Sequence, residues 1–157
     1  MTPLAPGQPA PDFTLPDAQS RPVSLHDFRG KKVVLFFYPK DMTPTCTKES
    51  CEFRDEYSRF LDLGAAVIGI SPDSPSSHRK FADKYKLPYP LLADENKEVC
   101  GLYDVWRWKK LFSYEYMGVE RSTFLIDENG VLVREWRKVI LKNHLNQVLD
   151  AIRNSTT

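Results

Sequence analysis

Apolar and polar positions alternate along this chain in short blocks. Phe13-Thr14-Leu15 and Val23-Ser24-Leu25 alternate around the polar stretch Asp17 to Arg21, which predicts a small β-hairpin. After the loop Arg29-Gly30-Lys31-Lys32, Val33 to Tyr38 is an unbroken apolar run ended by Pro39, the pattern of a strand buried on both faces. Helical spacing then takes over from Cys46 to about Leu63. Phe53, Tyr57, Phe60 and Leu61 share a face, Thr43 or Thr45 can cap the start, and Gly64 is a stop signal. Ala66 to Ile70 predicts a second buried strand, Ser76 to Lys86 a helix, Leu91 to Ala93 a short strand and Lys97 to Tyr103 a short helix. Asp104 to Glu120, rich in aromatic residues from Trp106 to Tyr116, reads as one long irregular segment. Arg121 to Asp127 and Val131 to Trp136 predict two strands joined across Asn129-Gly130, and Asn143 to Asn154 a closing helix with Leu145, Val148, Leu149 and Ile152 inward.

Strand–helix–strand–helix followed by a hairpin and a helix gives an α/β protein. Its central mixed sheet carries helices on both faces, in the order of the thioredoxin-like fold, with the N-terminal β-hairpin in front. Residues 1–11 contain four prolines and predict an extended, poorly paired arm. At 157 residues, with no repeat or linker, the expectation is one domain over 1–157. The net charge of +1 gives no reason to expect nucleic acid or an anionic membrane as partner. No apolar run approaches a membrane span and the first residues do not resemble a secretion signal, so the expected compartment is the cytoplasm.

Three cysteines, Cys46, Cys51 and Cys100, are an odd number in a chain large enough to fold without disulfides. With the separated His26, His78 and His144 they offer none of the paired spacings of a zinc site, so metal is the poorer reading and thiol redox chemistry the better one. Cys46 follows a polar, proline-flanked turn at a helix start, the wrong setting for an inert buried thiol. Its nucleophilic form is the thiolate, whereas a free thiol of pKa about 8.5 is mostly protonated at neutral pH. The helix N-terminus, the Thr43 hydroxyl and a cation from elsewhere, Arg121 being the candidate, could favour the charged form. Cys51 lies five residues on, about 7.5 Å along a helix and about 140° around it, so a Cys46–Cys51 bond requires the helix start to unwind. Spacing alone leaves Cys51 equally open to a role as a core thiol. A thioredoxin-type C-x-x-C is absent.

Pro39, Thr43 and Cys46 form P-x-x-x-T-x-x-C, which resembles the active-site signature of the peroxiredoxins. The context TPTCTKESCEFRD is similar to the Q-type, or bacterioferritin comigratory protein, subfamily. PGQPAPDFTLPD, SLHDFRGKKVVLFFYP, GISPDSPSSHRKFADKY and ERSTFLIDENG extend the resemblance over nearly the whole chain. Ser20 and Arg21 in the first turn, and Ser113 in the long segment, stand where the family often has glycine. The resemblance implies a peroxidase without metal, haem or flavin, acting on hydrogen peroxide and organic hydroperoxides. Cys46 would be the peroxidatic thiolate and Cys51 the resolving thiol of an intramolecular disulfide. Thr43 would orient the peroxide, Arg121 would hold the thiolate and polarise the O–O bond, Pro39 would shield the pocket, and Glu49 would support the arginine. Thioredoxin, or a similar dithiol, would be the reductant, and the protein a monomer. Cys100 reads as a spectator, the three histidines as isolated and solvated, Lys109 and Lys110 as solvated, and Asp94, Glu95 and Glu98 as an exposed turn. The aromatics of 104–120 read mostly as cover for the sheet end, with a lid or a thioredoxin-docking surface as alternatives. The rival functions are a disulfide oxidoreductase and a redox-responsive binding protein.

Overall fold

Alternation in the first buried strand decides the layering. The computed structural model describes residues 4–155. In β3 (Lys32–Phe37) and the following Tyr38, residues 34, 36 and 38 face one core and residues 33, 35 and 37 the other. Preceding it are β1 (Thr14–Pro16), β2 (Pro22–Ser24) and a 3₁₀ turn at Leu25–Phe28; following it are β4 (Ala65–Ser71), β5 (Leu91–Ala93), β6 (Trp106–Leu111), β7 (Tyr114–Val119), β8 (Ser122–Ile126) and β9 (Leu132–Trp136). The central sheet has the order β5-β4-β3-β8-β9, with β3, β4 and β5 parallel and β8 and β9 antiparallel to their neighbours. The helices are α1 (Pro44–Asp55), α2 (Tyr57–Asp62), α3 (Pro75–Tyr85), α4 (Glu98–Leu102) and α5 (His144–Asn154). Phe53 of α1, Phe60 of α2, Phe81 of α3 and Val148 of α5 pack on one side of the sheet. Phe13, Leu25, Val99 and Tyr103 pack on the other. This is the expected mixed sheet between helices, with the β1–β2 hairpin antiparallel in front of it. No helix among the described residues is long and apolar enough to cross a membrane.

Gly69 shows how tightly the first core closes. A Cβ there would lie 2.9 Å from both Leu91 Cδ2 and Phe36 Cζ, and Phe36 is fixed by a stack on Phe53 at 4.5 Å between ring centroids. Gly69→Ala is therefore expected to destabilise the protein by about 1–3 kcal/mol through overpacking. Urea unfolding measures it, and an unchanged midpoint would contradict so rigid a contact.

The structure departs from the expectations in several places. The helix predicted from Cys46 to Leu63 begins earlier, at Pro44, and is broken at Glu56 (φ −100°, ψ 7°) into α1 and α2. No glycine or proline marks that break. Thr43 occupies the N-cap position, yet its hydroxyl donates to the Lys40 carbonyl at 2.8 Å and caps no helix N–H. The segment 104–120 is a regular antiparallel hairpin, β6–β7, registered Trp106↔Val119 through Leu111↔Tyr114. Its turn at Phe112 has φ 57°, a conformation that usually asks for glycine, asparagine or aspartate, so the sequence carries no turn signal there. Most of its aromatics do not cover the sheet end: Trp108, Phe112, Tyr114 and Tyr116 are exposed, while Trp106 packs on the second core.

Residues 7–10 of the N-terminal arm are tied down rather than loosely paired. Gly7 donates to Leu132 O at 2.8 Å, Ala10 to Gly130 O at 2.9 Å, and Leu132 to Gln8 O at 2.9 Å. Pro3, one of its four prolines, lies outside the described residues. Ser20, at the position noted for lacking glycine, adopts φ 62°, and the Asp17 carboxylate steadies that turn by accepting from Gln19 and Arg21 N–H. Asp94 is buried, not exposed, because its carboxylate caps α4 through Val99 N–H at 3.2 Å and Cys100 N–H at 2.7 Å. Two of the three histidines are buried as well: His78 beside Asp41, and His144 against the Thr123 hydroxyl at 2.8 Å.

Candidate active site

Two pieces of chain far apart in sequence meet at Cys46. β3 delivers its C-terminal end to the turn that opens α1, and the pairing Phe37↔Ser122 sets Arg121 beside that end. Arg121 Nη2 donates to Cys46 Sγ at 3.1 Å, and Nη1 to Glu49 Oε1 at 2.6 Å. Cys46 and Glu49 are three residues apart, so the first turns of α1 put both on one face before the guanidinium fork. Cys46 is 1% exposed and Glu49 fully buried, which removes water from both sides of the contact.

Burial pushes the Glu49 carboxyl up to about 7 although Arg121 opposes the shift, and its Oε2 has no hydrogen-bond partner. Burial works against the charge on Arg121 too, but Glu49 and Cys46 together more than offset it and raise its pKa. A carboxyl raised from 4.5 binds more protons folded than unfolded between those limits, so its contribution makes stability fall as pH rises from about 4.5 to 7. Glu49→Gln should remove that part of the slope. Urea midpoints measured across the interval test it, and an identical slope in the variant would contradict the assignment.

Thr43, the N-cap residue of α1, is half-buried. Because its proton is engaged by Lys40 O, its oxygen is left as an acceptor. Pro44 has no N–H, and the N–H groups of Thr45 and Cys46 have no intrahelical partner by position. The first turn of α1 therefore holds an acceptor at Thr43 and open donors at Thr45 and Cys46. Pro39 is half-buried in the same turn.

Cys51 sits on the same unbroken helix, partly exposed, and all three thiols are free. Tyr89 OH donates to Ser50 O at 2.6 Å next to it. Cys100 is fully buried; burial, reinforced by the Asp94 carboxylate, pushes its thiol well above the ordinary range. It is more deeply buried than the sequence suggested.

Lys109, taken from the sequence as solvated, is half-buried and lines a groove of about 530 Å³ with Arg107, Trp108, Tyr116, Glu120 and Arg121. Burial and the Arg121 charge lower its pKa, while Glu120 and Cys46 oppose the shift. Its place follows from the β6–β7 pairing, which the sequence did not reveal.

The family model for AhpC/TSA proteins matches residues 6–135, which include every part of this site. The chain belongs to that family. It is a peroxiredoxin of the Q, or Bcp, type. Peroxiredoxin Bcp of Bacillus subtilis is 50% identical over 148 residues, 94% of each chain. Peroxiredoxin Bcp of Escherichia coli is 39% identical over 153 residues, 98% of each chain. Among solved structures, Xylella fastidiosa PrxQ superposes with a TM-score of 0.91 at 32% identity over 98% of both chains. The Xanthomonas campestris bacterioferritin comigratory protein, described with alkyl peroxide reduction activity, superposes with a TM-score of 0.86 at 34% identity over 90% of both. Peroxiredoxins are thiol-dependent peroxidases, and the site around Cys46 fits that chemistry.

Proposed function

We propose that this peroxiredoxin reduces hydrogen peroxide and organic hydroperoxides through Cys46 and Cys51. The observation that carries the reading is the Arg121 guanidinium, donating at once to a buried sulfur and to Glu49. In the first step the Cys46 thiolate attacks the terminal peroxide oxygen, the O–O bond breaks, and the leaving alkoxide or hydroxide takes a proton. Cys46 becomes sulfenic acid. Thr43 accepts the hydrogen bond of the peroxide O–H. Arg121 and the Thr45 and Cys46 N–H groups stabilise charge moving onto the departing oxygen, as an oxyanion hole does. Pro39 keeps water from the pocket, and Glu49 holds the arginine in place.

In the second step the Cys51 thiol displaces water from the sulfenic acid, giving a Cys46–Cys51 disulfide. A dithiol then reduces it by thiol exchange; thioredoxin fits that role. The molecule acts as a monomer and a single domain over 1–157 in the cytoplasm, with no nucleic acid, membrane, metal or cofactor required. The exposed aromatics of the β6–β7 hairpin, beside the Lys109 groove, favour a surface that receives the reductant or a bulky hydroperoxide.

Because α1 holds the two thiols about 140° apart around its axis, disulfide formation must unwind its first turns. Amide hydrogen exchange over 45–51 should therefore rise on oxidation by one equivalent of peroxide. Unchanged protection would remove the intrahelical disulfide.

A further inference from the structure

The turn that presents Cys46 is not held by its own helix. The Thr43 hydroxyl is directed away from the helix N–H groups, and Pro44 offers no N–H. Met42, next to it, stands at φ 68°, a strained left-handed conformation for a side chain with no local hydrogen bond to compensate. Such a turn persists only when its surroundings hold it.

The holding contacts converge on Asp41. Its carboxylate accepts Tyr38 OH on Oδ1 at 2.6 Å, and on Oδ2 both Ser77 OH at 2.8 Å and His78 Nδ1 at 2.7 Å. Its own N–H donates to Asp73 Oδ2 at 2.7 Å, and that oxygen also accepts Ser71 OH at 2.6 Å. The opposite nitrogen of His78, Nε2, lies 3.0 Å from Leu92 O. Asp41 thus gathers three side chains on its carboxylate, and each His78 nitrogen faces an oxygen. The pair is almost wholly buried, at 1% and 0% side-chain exposure. Asp41, Asp73 and His78 bring their polar atoms within 4.8 Å of one another, but at 2.7 Å the Asp41–His78 contact is already a closed hydrogen bond. Apart from Tyr38, every one of these partners comes from β4, the β4–α3 loop, β5 or the start of α3, never from α1.

We propose that the Asp41–His78 pair is a latch that positions Cys46. It clamps residues 39–43 to α3 in the peroxide-reactive conformation, and its strength sets the balance between attack on peroxide and the unwinding that lets Cys46 meet Cys51. Asp41 and His78 are positioning residues: they act on the sulfur through the strained turn at Met42 and touch no substrate. The proposal of a role in unwinding rests on the two-cysteine cycle above.

Asp41→Asn, His78→Gln and the double variant, each reduced and shown folded by circular dichroism, test it in rapid-mixing experiments that time sulfenic acid and disulfide formation separately. A loosened latch should slow attack on hydrogen peroxide by about tenfold or more, since a 1 Å misplacement of a reacting group can cost about 10²-fold. Disulfide formation should be faster, so excess peroxide should give less sulfinic acid. The double variant should resemble each single one, because the two residues form one unit. A merely structural role predicts a smaller active fraction with both rate constants intact. That result, a proportional fall in both, or additive effects in the double variant would overturn the proposal. Should Asp41→Asn fail to fold, Ser77→Ala removes only one bond to the carboxylate and should move the attack rate the same way, by less; an unchanged rate counts against the latch. If wild-type protein forms no Cys46–Cys51 disulfide, the two-cysteine reading fails by itself. The attack rate then still decides the positioning role, supported by a tenfold loss and overturned by none.

Discussion

Cys46→Ser abolishes peroxide turnover, by at least about 10⁴-fold, because removing the atom that attacks leaves only binding and hydrogen bonding to act. The serine hydroxyl fits the same 1%-exposed place beside Arg121, so the loss is chemical and folding should be unaffected. Peroxide consumption coupled to NADPH through thioredoxin and its reductase measures it. In the same assay Cys51→Ser should consume one equivalent of peroxide and stop, with Cys46 left as sulfenic acid. Cys100→Ser should match wild type, because its thiol is fully buried and held in the uncharged form. Wild-type turnover in Cys51→Ser would reassign resolution to Cys100 or to the reductant. Full activity in Cys46→Ser would remove Cys46 as the nucleophile, and no turnover in wild type, even with a small dithiol in place of thioredoxin, would bring the binding reading forward.

Arg121→Lys should lower the rate of peroxide attack by about 10²–10³-fold, the usual loss for a donor aimed at developing charge. One ammonium cannot reproduce a planar fork that reaches Sγ at 3.1 Å and Glu49 Oε1 at 2.6 Å in fixed directions. Arg121→Met should be as slow, and less stable by up to about 3–5 kcal/mol, because Glu49 loses the cation that opposes its upward shift and both its oxygens stay buried without a partner. Adding Glu49→Gln should recover part of that stability without recovering the rate. The second-order rate constant and the urea midpoint, measured on the same samples, separate the two effects. A lysine variant with the wild-type rate would remove the fork from the chemistry.

The strands and most helices were legible because a β-branched run or a helical stripe is a local pattern. Val33 to Tyr38 alternates between two cores, and Phe53 and Phe60 keep to one of them despite the break at Glu56. The β6–β7 hairpin was hidden because its turn is built on Phe112 at φ 57° instead of the asparagine or glycine such a turn usually carries. Asp94 looked like a loop acid because nothing in its neighbours announces that it caps α4. Of the proposed site, Pro39, Thr43, Cys46, Glu49 and Cys51 share one local stretch, and the family resemblance attached Arg121 to them.

By itself the sequence determined the order of the central strands and most of their helices, the two-sided burial of the sheet and the placing of a thiol at a helix start. These follow from side-chain periodicity and from residues that start or stop elements. Tertiary structure alone decided which distant groups face that thiol. The β3–β8 register brings Arg121 to Cys46 across 75 residues, and the packing of α3 brings His78 to Asp41 across 37. Hydrogen-bond geometry over such separations depends on register and packing angle, which no local pattern encodes.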